Sequence, residues 1–292
     1  MGQVITGLIK DDPEIEIVAG VDPVDCRDNG YPVFPSIDKC TVEADVIIDF
    51  TSAKAVDGLI AYSAEKKVPV VLCTTGLSEE QLKSLEEASS QVAVLRSANM
   101  SLGINMLMKI LQDAAKILVP AGFDIEIVEK HHNRKLDAPS GTALALADAI
   151  NDGVLGGEYE YKYDRSQDHK KREKKEIGIS AVRGGTIVGD HDVIFAGTDE
   201  VITFSHTAYS RAIFGKGAIQ AAKYLAGKPA GFYHMSDVIN AQVLPFPLVP
   251  ATWITLNFFC GSPSLLRHSL VWSRLFLVVN LGMSSIYATA SS

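Results

Sequence analysis

The sequence predicts an α/β protein: a doubly wound parallel sheet lacking its first strand, followed by an α+β domain built on an open mixed sheet. Three observations lead there. Short apolar runs alternate with helical stretches as far as residue 101, the rhythm of helices packed on both faces of a parallel sheet. Beyond residue 102 a long apolar helix gives way to strands in which apolar and polar residues alternate, the mark of a sheet with one open face. The 292 residues are 47% hydrophobic and 21% charged, enough for buried cores and unlike a disordered or collagen-like chain.

The elements follow in order. Residues 2–9 read as a helix entered almost directly from Met1. Residues 14–21 (EIEIVAGV) alternate as a strand and end in Asp22. Residues 45–50 (DVIIDF) form a buried strand, and Thr51-Ser52 caps a helix ending near Lys67. Residues 68–73 are the next strand, closed by Thr74-Thr75-Gly76. Ser78 and Gln81 make a capping box for another helix, and residues 92–95 give a fourth strand. In the second domain a helix over 104–118 leads to a strand over 124–129. Residues 177–182, 191–196 and 200–206 alternate as further strands. The stretch from Lys162 to Glu176 carries seven Lys/Arg and reads as a solvated, mobile loop.

Composition narrows the function. Lys+Arg 27 against Asp+Glu 35 gives a net charge of −8, which argues against a nucleic-acid binder relying on a basic surface. Cys26, Cys40, Cys73 and Cys260 form no C-x-x-C pair and no metal-like cluster, so they read as reduced thiols of a cytoplasmic protein. Residues 241–292 stand apart, with both tryptophans and only Arg267 and Arg274 charged. Their apolar run over 270–283 is shorter than the ~20 residues of a membrane span. This tail is expected to be an extension foreign to the rest of the chain, disordered or loosely collapsed.

The richest chemistry lies between Glu129 and Thr142 (EKHHNRKLDAPSGT). His131 and His132 stand at a strand end with Lys135 close behind. Pro139-Ser140-Gly141-Thr142 opens a helix whose free N–H groups suit a carboxylate or phosphate. Histidine donates or accepts a proton near neutral pH, and lysine donates one or holds an anion. Two adjacent histidines without a spaced third ligand do not make a zinc site. A second constellation sits at the strand ends of the first domain. Asp22 occupies the place where an acid accepts both ribose hydroxyls of an adenosine, and Pro23 brings no cation for a 2′-phosphate. Cys73, Thr74 and Thr75, with Ser97, Ala98, Asn99 and Met100, fall where a nicotinamide would lie.

These segments, together with Cys73–Ser78 (CTTGLS), Ala98–Ser101 (ANMS), Gly184–His191 (GGTIVGDH) and His206–Arg211 (HTAYSR), resemble the dihydrodipicolinate reductase family from Met1 to about Asn240. H-H-x-x-K-x-D-A-P-S-G-T-A is the most specific of them. The resemblance implies a Rossmann-like dinucleotide-binding domain over 1–101, completed by 212–240, and a substrate-binding and tetramerisation domain over 102–211. It implies reduction of 4-hydroxy-tetrahydrodipicolinate to tetrahydrodipicolinate with NADH or NADPH, in the diaminopimelate route to lysine. His131 would be the proton donor/acceptor and Lys135 the proton donor. His132 would contact the substrate, and Gly141 and Thr142 would hold its carboxylate. The family opens with a strand and a G-x-x-G-x-x-G loop, of which Met1 and Gly2 match the last two positions, so Met1 joins the expected cofactor site. The natural reading frame is expected to extend upstream by the ~15 residues a strand and loop need. NADH is favoured over NADPH as the expected cofactor, and the expected partners are a cyclic dicarboxylate and three further copies of the chain, with no nucleic acid and no membrane in the family-like part. The alternative is a catalytically impaired remnant that binds a dicarboxylate and oligomerises without binding the dinucleotide.

Overall fold

A computed structural model describes residues 1–10, 12–24, 28–242 and 273–278. Helix α1 (Gly2–Ile9) leads into strand β1 (Ile15–Val21) and the short β2 (Val33–Phe34). Then come β3 (Val46–Asp49), α2 (Ala53–Lys66), β4 (Val70–Leu72), α3 (Glu79–Ser89) and β5 (Ala93–Arg96). After the second domain the chain returns through α6 (Ala212–Leu225), β11 (Gly231–Tyr233) and α7 (Met235–Gln242).

Alternation along the strands builds two cores on the two faces of one sheet. Val46, Ile48, Val71, Ala93 and Leu95 face α1, α6 and α7, packing with Ile5, Ile9, Ala218, Ala222 and Val238. Ile47, Val70, Leu72 and Val94 face α2 and α3, packing with Val56, Leu59, Leu85 and Ala88. This is the expected double winding. The Ser78–Gln81 capping box is present in both directions, whereas Ser52 holds the cap position of α2 without a side-chain bond. Gly217 lets α6 lie against the loop before the second domain, because a Cβ there would sit 1.6 Å from the Met100 carbonyl oxygen.

The sequence predicts a parallel sheet without its first strand. The central position next to β1 is nevertheless filled. Residues of the tail form β12 (Ser273–Val278), which pairs in parallel with both β1 and β3. The sheet order is β11-β5-β4-β3-β12-β1-β2, with every pairing parallel. The expectation of a loosely collapsed tail therefore fails over 273–278. The physical reason is that β1 and β3 each present a full row of N–H and C=O groups that an extended apolar segment satisfies. The expectations for the rest of the tail after residue 242, and for Cys26 and Cys260, lie outside the described residues.

The second domain starts with α4 (Leu102–Leu118) and β6 (Asp124–His131), then α5 (Gly141–Val154). Strands β7 (Glu160–Lys162), β8 (Glu176–Arg183), β9 (Gly189–Ala196) and β10 (Val201–Ala208) complete a mixed sheet of order β10-β9-β6-β8-β7. One face packs Ile125, Ile127, Ile177, Val193 and Phe195 onto α4 and α5. The other face is open and charged. The stretch from Lys162 to Glu176, expected as a mobile loop, is tied to that face. Arg165 pairs with Glu126 and Glu176, and Arg172 with Asp124 and Glu126. Arg172 also donates to the carbonyls of Ile125 and Glu176. Asp124 and Glu126 on the solvent-side phase of β6, with Glu176 at the start of β8, supply these anchors. Among the described residues no helix is long and apolar enough to cross a membrane.

Proline at position 275 or 277 removes a backbone donor from the middle of the larger sheet. Each of Leu275→Pro and Leu277→Pro should destabilise the first domain by roughly 1–3 kcal/mol, the cost of a buried acceptor left unpaired. Hydrogen exchange at Ala19 and Ile48 should speed up in both variants. Unchanged protection at both amides would show that the strand is dispensable.

Candidate functional site

The carboxyl ends of the first-domain strands face the second domain across a cleft of about 600 Å³. Cys73, Ala98, Asn99 and Met100 line it from one side; His131, His132, Lys135, Ser140, Gly141 and Thr142 line it from the other. Both adjacent histidines reach the cleft because β6 ends at His131 and the chain turns there. Asn99 Nδ2 donates to Thr142 Oγ1 at 3.1 Å, joining the two domains across the floor.

Not every expected residue converges. Asp22 is buried at the end of β1 and accepts the Val24 N–H. Its neighbours Val21 and Pro23 line a second cleft of about 400 Å³ with Ser36, Thr51, Ser52 and Lys54, while Asp22 does not. Thr74 is buried, its hydroxyl donating to Asp49 at 2.6 Å, and Thr75 is exposed outside both clefts. The Ser97 hydroxyl turns back to donate to the Asn99 carbonyl. Met1 caps α1 and packs against the core, with its amine close enough to Arg211 for repulsion to lower its pKa beside the larger effect of burial. Arg211 itself lines the larger cleft.

The N-terminal turn of α5 directs free backbone donors towards the cleft. The Ser140 hydroxyl accepts from Ala143 N–H, while the Gly141 and Thr142 amides have no intrahelical acceptor and open onto the cleft. Lys135 Nζ is held 2.8 Å from Asp137 Oδ1 at the same rim.

Beneath these residues lies a polar cluster that sequence reasoning did not single out. Glu129 is wholly buried. Its Oε1 accepts from Ser140 N–H at 3.0 Å and Arg183 Nη2 at 2.6 Å. Its Oε2 accepts from Arg183 Nη1 at 2.7 Å and lies 2.6 Å from His131 Nδ1. Burial works against the charged carboxylate, but the Arg183, His131 and Ser140 hydrogen bonds together hold its pKa below the usual range. Strand register sets Glu129 beside His191, and His191 beside His206. His191 is 4% exposed, shares a 3.1 Å hydrogen bond with the Ser140 hydroxyl and meets the His131 ring edge-on at 5.1 Å. Burial, then the neighbouring His131 and His206, depress its pKa to about 4. Two signals for this cluster exist in the sequence. Glu129 falls in phase with Ile125 and Ile127 on the buried side of β6, and Ser140 stands three residues before Ala143 as a cap.

A histidine whose pKa is about 4 when folded and near the ordinary 6.5 when unfolded binds more protons in the unfolded chain between those values. Stability contributed by neutral His191 is therefore present above about pH 6.5 and lost as pH falls towards 4, by roughly 3 kcal/mol at the limit. Thermal melts of the chain and its His191→Leu variant at pH 7.5 and 5 check this. The variant should lose less stability on acidification, and equal losses would contradict the assignment.

Comparison with known proteins places the whole arrangement. The model of the dihydrodipicolinate reductase N-terminus matches residues 1–100, and that of the C-terminus matches residues 103–239. A 4-hydroxy-tetrahydrodipicolinate reductase of Caldanaerobacter subterraneus subsp. tengcongensis is 55% identical over 82% of this chain and 94% of its own length. The same enzyme of Clostridium tetani is 52% identical over 82% of this chain and 93% of its own. Among solved structures, dipicolinate-bound dihydrodipicolinate reductase from Paenisporosarcina sp. TG-14 superposes with a TM-score of 0.66 at 24% identity, covering 80% of this chain and 92% of that one. With both halves matched and the histidine–lysine motif in the cleft between them, the chain belongs to the dihydrodipicolinate reductase family.

Proposed function

We propose that the chain reduces 4-hydroxy-tetrahydrodipicolinate to tetrahydrodipicolinate with NADH or NADPH, in the diaminopimelate route to lysine. The observation that carries the reading is the shared cleft. It sets the proton-handling pair His131 and Lys135 and the α5 amides against Cys73 and Ala98–Met100 at the ends of a parallel sheet.

The first domain suits a pyridine dinucleotide: both clefts open at the carboxyl ends of its strands, where such a sheet binds ligands. The bound cofactor supplies the hydride. The chain's own residues do the rest. The Gly141 and Thr142 amides and the dipole of α5 hold a substrate carboxylate, and His132 contacts the same ring. Loss of the 4-hydroxyl as water consumes a proton, which Lys135 and His131 are placed to deliver. Cys73 and Ala98 to Met100 border the nicotinamide, Asp22 stands at the strand end behind the adenosine-side cleft, and Met1 lies at the pyrophosphate end near α1.

His131→Gln and Lys135→Ala should each lower kcat by ~10²–10⁴-fold, with smaller changes in KM. His132→Ala and Thr142→Val should chiefly raise KM. The reverse pattern would reassign the roles. Calorimetric titration with dipicolinate and with NADH separates the enzyme, which binds both, from a remnant that binds only the dicarboxylate.

NADH is the favoured cofactor, because the Asp22 carboxylate disfavours a 2′-phosphate and Pro23 offers no cation. Lys54 lines the adenosine-side cleft, so the margin in kcat/KM should be modest, roughly tenfold or less, equivalent to ~1.4 kcal/mol. A clear NADPH preference in paired assays would contradict this. The open face of the second sheet, with Val182 and Val201 exposed, supports assembly as a homotetramer. Free Cys40 and Cys73 fit a cytoplasmic setting.

A further inference from the structure

His131 lines the cleft and is tied through a ring nitrogen to a buried anion. Its Nδ1 lies 2.6 Å from Glu129 Oε2. Its ring is further confined by the edge-on His191 and by the backbone at Gly189, where a Cβ would come within 3.0 Å of His131 Nε2. No hydrogen bond to protein is recorded for that Nε2 among the described residues, and the ring opens on the cleft.

An ionised carboxylate only accepts hydrogen bonds, so the shared proton sits on Nδ1 and a neutral ring keeps its lone pair on Nε2. Glu129 is kept in that state by Arg183, whose fork occupies both oxygens. We propose that Glu129, clamped by Arg183, is the positioning residue that presents Nε2 of His131 to the substrate. Glu129 touches neither substrate nor cofactor and acts through the ring alone. The inference rests on His131 being the proton-handling group of the reduction proposed above.

In a Glu129→Gln chain, Ser140 N–H and Arg183 still claim the amide oxygen, which leaves the NH₂ facing His131. The ring must then accept at Nδ1 and carry its proton on Nε2. Long-range ¹H–¹⁵N spectra of histidine-labelled full-length chain read the tautomer directly, with His131→Gln assigning the signal. The expected result is an Nδ1–H tautomer in the unmutated chain and an Nε2–H tautomer in Glu129→Gln. With it, kcat should fall on the order of 10²-fold or more, while calorimetric affinity for dipicolinate changes less than about threefold, roughly 0.65 kcal/mol. An unchanged tautomer in a variant that still binds dipicolinate overturns the inference. A tautomer switch in a chain without reductase activity upholds the positioning role and rejects the reduction. If Glu129→Gln does not fold with Arg183 left uncompensated, the pair Glu129→Gln with Arg183→Met takes the same measurement under the same criteria.

Discussion

The buried carboxylate of Glu129 is the constraint on which the geometry of the cleft depends. A charge with no exposed surface is sustained only when its lone pairs are met by donors. Here the donors come from three places: the Arg183 fork at the end of β8, the Ser140 N–H at the start of α5, and His131 two residues further along β6. Meeting them fixes where α5 begins relative to the sheet. That in turn fixes where the Gly141 and Thr142 amides point and where the His131 ring stands. The His131 ring and the first turn of α5 are thus set by one ion rather than by two independent arrangements.

Most of the fold was legible because it is written in local periodicity. Val46 to Ile48 and Ala93 to Leu95 alternate between two cores, and only a sheet covered on both faces gives strands buried on both sides. Pairing between distant segments leaves no such trace. Residues 273–278 join Ser273 and Arg274 to four apolar residues and carry no period that distinguishes a strand from a collapsed segment, so their place between β1 and β3 was unreadable. The cationic stretch before Glu176 was misread for a related reason. Its charge suggests solvent, while the anions that hold it, Asp124 and Glu126, lie on another strand.

The site divides along the same line. His131, His132, Lys135, Gly141 and Thr142 could be read together because a strand end and a helix start bring them into one short segment. Cys73 and Ala98 to Met100 followed from the rule that parallel strands bind at their carboxyl ends, and they line the cleft. The same rule overreached for Thr74, Thr75 and Ser97, whose side chains turn into the sheet, to solvent or back onto their own loop. Arg183, His191 and His206 join the cluster through registers across β8, β6, β9 and β10, which a linear reading does not supply.

The placement of β12 also bears on how the molecule is made. Its partners, β1 and β3, are synthesised early, and the whole second domain is threaded between them and the strand that unites them. A chain emerging from the ribosome therefore carries an open slot with hydrogen-bonding edges on both sides until its last described element arrives. Contacts of such long sequence separation close slowly. During that interval the facing edges of β1 and β3 are unpaired, and any extended segment that reaches them meets the same row of donors and acceptors.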